Sequence, residues 1–321
     1  MRAHSFSFVR ILFLALLLHT AVTRHSHADD SFYDLPPPGQ RVDIGGYKLH
    51  IHCQGTGSPT VILDAGLGDW SSHWASVQAL LKGDTQVCSY DRAGYGWSDP
   101  GPRPRASAQL ATELHALLKK AEIPPPYVLV GHSFGGFNMR LFSTTFDDEV
   151  VGLVLVDASH AGSLPYRRDE NGSGSNPAAS NYRVLMVAAQ ADILKLPPEA
   201  IPAVHNDFLH TKSIATARSE YRALADSVSQ VQQAPGLGDI PLIVISRGIH
   251  EWGESAEGAA REASWQAQQD ELVRLSRRGT HKIASRSGHH IHLDEPGLVA
   301  DAIRELVVKA REEQVPTGGQ P

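Results

Sequence analysis

Residues 126–136 read PYVLVGHSFGG, a run of aromatic and β-branched residues that breaks abruptly into small and polar ones. The first half has the make-up of a buried strand, and the second, continuing as FNMRLFSTTF, has that of a helix. Between them stands Ser133, with Gly131 and Gly135 at two-residue distance on either side. A Gly-x-Ser-x-Gly pattern alone is weak evidence, but strand, turn and helix around it form the setting of a nucleophile elbow. In such a turn the serine takes a strained backbone conformation, and a Cβ on either flanking residue would run into neighbouring backbone. A plain helix N-cap is the competing role for this serine, and the context favours the nucleophile.

Working outward, short apolar runs alternate with helical patterns. QRVDIGGYKLHIHCQG reads as a hairpin turning at Gly45 and Gly46, PTVILDAG as a strand, SSHWASVQALLKG as a helix ended by Gly83, and TQVCSYDRAG as another strand. ASAQLATELHALLKKAEI aligns Leu110, Leu114, Leu117 and Leu118 on one helical face, and VVGLVLVDAS follows the serine segment as a further strand. Near-continuous apolar strands interleaved with helices indicate a parallel sheet covered on both faces, with the leading hairpin as an antiparallel edge. From about Ser159 the rhythm breaks. NYRVLMVAAQADILKL and SIATARSEYRALADSVSQVQQ are helical patterns in a stretch too long for a crossover loop, so residues 159–238 read as an inserted helical cap. The core then resumes with strand PLIVISRG, helix AAREASWQAQQDELVRLSR, strand HKIASRSG and helix GLVADAIRELVVKAREE. The organisation expected is a core of 29–158 and 239–312, the cap between its halves, and a frayed tail over 313–321.

A serine hydroxyl needs a base to take its proton and donors to hold the oxyanion that follows. The Phe134 amide opens the next helix and serves as one donor; the turn AGLG after PTVILDAG offers the Leu67 amide as the second, with Gly66 and Gly68 admitting close approach. Among the 17 histidines, SGHHIHLDEP lies after the last strand and before the last helix, where the chain order nucleophile, acid, base expects the imidazole. His289 is the choice there, with His290 and His292 as local competitors. Further ligands that would turn this cluster into a metal site are not evident in the sequence, and no metal or organic cofactor is expected. The acid has two locations, Asp157 at the end of VGLVLVDAS and Glu251 in IHEWGE after PLIVISRG, with Asp157 preferred.

Taken together, LDAGLGDWSSHW, VCSYDRAGYGWSDPGPRPR, YVLVGHSFGG, GLVLVDASH and SGHHIHLDEP resemble the α/β-hydrolase superfamily over about residues 40–310. The resemblance implies a mostly parallel sheet of about eight strands flanked by helices, with a helical cap over the active site. It also implies a serine hydrolase of esterase or lipase type, and bracing rather than reacting roles for Asp91 and Arg92. Two departures stand out. Ala65-Gly66 replaces the His-Gly that many members carry in the oxyanion loop, so its bracing must differ. No Asp follows PLIVISRG where many members have one, whereas some members place the acid at the end of the preceding strand, which matches Asp157. Ser133 argues against the dehalogenase and epoxide hydrolase branches, which use an aspartate nucleophile.

The expected activity is therefore ester cleavage through an acyl-enzyme. Aminopeptidase, thioesterase, lactonase and perhydrolase chemistry share the same machinery, and a non-catalytic ligand-binding protein of this fold is the rival from another class. The partner is a small-molecule acyl substrate, for which Leu185, Met186, Val187, Ile193 and Leu194 could line an apolar acyl pocket, although residues at such helical spacing more often pack a cap against its core. The formal net charge of −6 and the lack of a basic stripe exclude a nucleic-acid partner. Residues 1–28 place Arg2 and Arg10 before the apolar run Ile11–Leu18 and end on SHA, the order of a secretory signal peptide. Cleavage after Ala28 removes Arg2, Arg10 and Arg24 and no acid, taking the charge from −6 to −9, so no stable membrane insertion is expected of an exported, periplasmic or secreted product. In that compartment Cys53 and Cys88 are either a disulfide or two buried thiols.

Overall fold

The structure, a computed structural model, describes residues 36–162, 167–168, 174–175 and 211–314. The chain divides into units Met1–Pro36 and Pro37–Pro321, and the elements below belong to the second. The signal-like segment, the first helical pattern of the cap with its five apolar residues, and the chain end beyond 314 lie outside the described residues.

Eight strands form one sheet: β1 (Gln40–Asp43), β2 (Lys48–Gln54), β3 (Thr60–Asp64), β4 (Val87–Tyr90), β5 (Tyr127–His132), β6 (Val150–Val156), then β9 (Leu242–Arg247) and β10 (Gly279–Ala284), after a two-residue ribbon of β7 (Arg167–Arg168) with β8 (Gly174–Ser175). Their spatial order is β1-β2-β4-β3-β5-β6-β9-β10. β2 pairs antiparallel with both neighbours and the other pairings are parallel, as the leading hairpin predicts. The hairpin turns where Asp43 Oδ1 accepts the amides of Gly45 and Gly46, both at positive φ.

The strands alternate between two buried layers. Val61, Leu63, Val128, Val130, Val154, Ile243 and Ile245 face one side, and Ile62, Leu129, Leu153, Leu155 and Val244 the other. The first layer is covered by α1 (Ala75–Leu81) and α8 (Pro296–Gln314), and the second by α2 (Ser107–Lys120), α3 (Gly135–Thr145) and α6 (Ala256–Val273). Because helices cover both faces there, the central strands β3, β5, β6 and β9 are buried almost throughout, which is why the sequence showed apolar runs rather than alternation. The four leucines predicted to share a face of α2 are all buried in the second layer.

Between β6 and β9 lie α4 (Thr211–Arg222) and α5 (Leu224–Gln233), so the single pattern read over SIATARSEYRALADSVSQVQQ is two helices broken at Ala223. SSHW is a 3-10 turn leading into α1 rather than part of it, and a short α7 (Ile291–Asp294) precedes α8. α8 runs to Gln314, two residues into the expected tail. Cys53 and Cys88 sit directly opposite each other on β2 and β4 and form a disulfide.

Candidate active site

Ser133 leaves β5 at φ +50°, the left-handed region that costs a non-glycine residue roughly 1–2 kcal/mol. The turn is held by its neighbours: Ser133 N–H donates to Val156 O at 3.1 Å, and Ser133 O accepts from Gly136 N–H and Ser159 N–H. A Cβ on Gly131 would lie 2.6 Å from Gly135 O, and one on Gly135 would lie 2.7 Å from Asp64 O, so both glycines are dictated by backbone contact. The chain can make this turn only without side chains at those two places.

His289, in the loop after β10, brings its Nε2 to 2.9 Å from Ser133 Oγ and its Nδ1 to 2.6 Å from Asp157 Oδ2. Asp157 itself sits just past β6 at φ +39°, a conformation aspartate tolerates better than most residues. It is fully buried, and its two oxygens also accept from Trp265 Nε1 (2.8 Å), Arg247 N–H (3.2 Å) and Arg247 Nη1 (2.8 Å). Burial alone would raise its pKa. The His289 hydrogen bond and charge, with Arg247 and Trp265, outweigh burial and bring it down to about 2, so the carboxylate is ionised. His289 is 24% exposed where Asp157 is sealed, so the array runs from a dry acid to an imidazole that solvent can reach.

Arg247, the last residue of β9, stands buried beside Asp157. The position carries a buried cation that pairs with Asp157 and, at 3.2 Å, with Glu262. An acid could not take its place without leaving Asp157 short of its partners. Glu251, the competing acid, serves the same loop differently: its Oε1 accepts the backbone N–H of His289 at 2.5 Å. It holds the loop, and Asp157 holds the ring. An arginine closing an apolar strand was a legible sign that a buried acid awaited it; Trp265 gave no such sign.

The Ala65-Gly66 loop, read from the sequence as the oxyanion loop, is braced by Arg92. Arg92, fully buried, uses all five of its N–H groups: Nη1 donates to Asp64 Oδ1 (2.8 Å) and Ala65 O (2.7 Å), Nη2 to Gly66 O (2.7 Å) and Glu220 Oε2 (3.1 Å), and Nε to Glu220 Oε1 (2.8 Å). Burial would lower the Arg92 pKa, but Glu220 and Asp64 raise it well above the ordinary value. Asp64 also accepts from Asn138 Nδ2, and Glu220 from Tyr95 OH at 2.8 Å. With its carbonyls turned toward Arg92, the loop leaves its amides for other partners; neither the Leu67 nor the Phe134 N–H donates to a backbone carbonyl in the loops and turns of the described residues. Asp91 braces as expected, accepting from the amides of Ser71 and Trp97, each at 2.9 Å. Glu220 lies on α4, in the stretch read from sequence as the cap, and sequence offered no way to connect it with Arg92, 128 residues earlier.

The competing histidines have other neighbours. His292 is buried between the rings of Trp74 and His132, at centroid distances of 4.5 and 4.3 Å. His290 directs Nε2 toward Asp69 Oδ2, at 3.7 Å. His132, next to Ser133 in the chain, places Nε2 at 3.0 Å from His289 O. Burial, and then the nearby His289 and His290, drive its pKa well below the ordinary value.

A hydroxyl, an imidazole and a carboxylate in line, beside a turn of open amides, is an arrangement suited to acyl transfer. The model of the alpha/beta hydrolase family matches residues 49–302. The chain belongs to the alpha/beta hydrolase family. An uncharacterised Bacillus subtilis (strain 168) protein, YqjL, is 27% identical over 274 residues, 85% of this chain and 93% of that one. An AB hydrolase superfamily protein of Gibberella zeae is 24% identical over 79% of this chain and 87% of its own length. Among solved structures, a thermophilic esterase from Thermogutta terrifontis superposes with a TM-score of 0.64 at 21% identity, covering 84% of this chain and 99% of the esterase. The enol-lactonase from Burkholderia xenovorans LB400 does so with 0.61 at 20% identity, covering 84% of this chain and all of the lactonase. At such identity the likeness is one of fold. Family membership makes the protein a hydrolase.

Proposed function

We propose that this hydrolase cleaves carboxylic esters through a Ser133-His289-Asp157 triad and an acyl-enzyme intermediate. The single observation that carries the reading is the position of the His289 ring, within hydrogen-bond distance of both Ser133 Oγ and Asp157 Oδ2. Ser133 Oγ attacks the ester carbonyl as His289 Nε2 takes its proton; the carbonyl oxygen, now anionic, is received by the amides of Phe134 and Leu67. His289 returns the proton to the departing alcohol, and water attacks the acyl-enzyme by the same route in reverse. Asp157 stays ionised throughout, fixing the ring with its Nδ1–H toward the carboxylate and stabilising the imidazolium. No metal ion or organic cofactor takes part in this scheme.

We assign the protein to an exported location. The order of residues 1–28 supports it, and so does the Cys53–Cys88 disulfide, a bond that persists in oxidising compartments. No helix among the described residues is long and apolar enough to cross a membrane. The test of the reaction is steady-state turnover of p-nitrophenyl esters of increasing acyl length. Wild type should hydrolyse the short members, and Ser133→Ala should lose on the order of 10⁴-fold or more in kcat. A Ser133→Ala variant that retains turnover, or a folded wild type inert on every ester, defeats the reading.

A further inference from the structure

The geometry points to a divalent transition-metal site, of zinc type, formed by Asp69 Oδ2, His132 Nδ1 and His290 Nε2. The sequence showed only the histidines of SGHHIHLDEP and no completing ligands. The fold supplies them from two other segments: Asp69 from the loop after β3 and His132 from the end of β5. The three donor atoms lie within 4.8 Å of one another, with Asp69 Oδ2 at 3.8 Å from His132 Nδ1 and 3.7 Å from His290 Nε2. Zinc holds such ligands at roughly 2.0–2.2 Å, so a closure of a few tenths of an ångström per ligand brings all three onto one ion.

Three features argue for a cation rather than a chance meeting. The first is the tautomer of His132. Its Nε2 faces the carbonyl of His289, which only accepts, so Nε2 carries the hydrogen and Nδ1 of the neutral ring presents a lone pair. That lone pair lies 3.8 Å from Asp69 Oδ2, and His132 Nδ1 is buried with no hydrogen-bond partner among the described residues. A nitrogen lone pair left without a partner beside a carboxylate in a dry pocket is what an ion between them would reconcile. The second is the support around the ligands: a zinc-bound imidazole normally donates its other N–H to a carbonyl or carboxylate, which His132 does, and Asp69 Oδ1 has His73 Nε2 at 3.4 Å. The third is room. A Cβ on Gly66 would stand 2.9 Å from both Asp69 Oδ2 and His132 Nδ1, so the glycine keeps that side of the two donors open.

Two imidazoles and one carboxylate suit zinc and its neighbours in the first transition row rather than calcium or magnesium. With three protein ligands the ion keeps a position for water. Its location gives it a consequence: His132 immediately precedes the serine and His290 immediately follows His289, so one ion would clamp the serine turn to the histidine loop.

The test uses untagged full-length protein, stripped with EDTA and dialysed against micromolar zinc. Elemental analysis should find one more zinc per chain in wild type than in His290→Ala or Asp69→Asn, and zinc should raise the thermal midpoint of wild type alone. His25 and His27 contribute equally to all three proteins, so the difference isolates the site. Equal zinc in wild type and either variant, or no zinc retained by wild type, overturns the proposal. Zinc-edge anomalous scattering from zinc-soaked wild-type crystals needs no variant: a peak among the three donor atoms is the expected result, and its absence there overturns the assignment. Neither readout depends on ester turnover.

Discussion

Replacing Glu220 by glutamine removes one charge from a fully buried carboxylate while keeping its shape. That carboxylate accepts from Arg92 Nε (2.8 Å), Arg92 Nη2 (3.1 Å) and Tyr95 OH (2.8 Å). In the variant one oxygen becomes an NH₂ facing donors, and Asp64 remains as the carboxylate paired with the buried guanidinium. Breaking a buried ion pair costs about 3–5 kcal/mol, and the surviving Asp64 pair and retained carbonyl put the expected loss at the lower end, about 3 kcal/mol. The functional effect follows from the same guanidinium. Arg92 also fixes the carbonyls of Ala65 and Gly66, so loosening it lets the Leu67 amide drift. Complete loss of an oxyanion donor costs about 10²–10³ in kcat, and a displaced donor should cost about tenfold with KM little changed. Urea unfolding monitored by tryptophan fluorescence gives the first number, and initial rates on a short p-nitrophenyl ester give the second. A stability change under about 0.5 kcal/mol together with a kcat within twofold of wild type would refute the link between α4 and the loop at residues 65–67.

Acid should weaken the protein in a defined window. Asp157 has a folded pKa of about 2 against an ordinary 3.8, so its stabilising contribution is fully present above pH 4 and is lost as pH falls through 2. That shift is on the order of 2 kcal/mol, and Asp157→Asn should flatten this part of a stability curve measured by denaturant titration at successive pH values. Arg247→Met should cost about 3–5 kcal/mol by leaving Asp157 and Glu262 without their shared cation, read from the urea midpoint. Replacing both Cys53 and Cys88 by serine opens a loop of sequence separation 35 and should lower stability by about 2–4 kcal/mol; an unchanged unfolding midpoint would show the bond to be dispensable.

The sheet was legible because β3, β5, β6 and β9 are buried on both faces and so carry unbroken apolar runs that nothing else explains. Helix boundaries were less so. Ala223 breaks the cap pattern without a proline or glycine to announce it, and the 3-10 turn SSHW has the composition of a helix start. The Ser133 turn was readable because backbone contact leaves only glycine at 131 and 135. Which acid reaches the His289 ring depended on facts spread across the chain. Asp157 directly follows β6 and Glu251 lies in the loop after β9, and their separation into a ring partner and a backbone partner rests on Arg247 and Trp265 converging from β9 and α6. The Arg92–Glu220 pair and the Asp69–His132–His290 cluster share that character, since their members are far apart in sequence and meet only in the folded chain.

The most direct measurement is mass spectrometry of the protein after reaction with a fluorophosphonate probe. A phosphonyl adduct should appear on the peptide that contains Ser133, at one per chain, and should be absent from Ser133→Ala and strongly slowed in His289→Ala. An adduct on another residue, or equal labelling of wild type and Ser133→Ala, would contradict the assignment of this hydroxyl as the nucleophile.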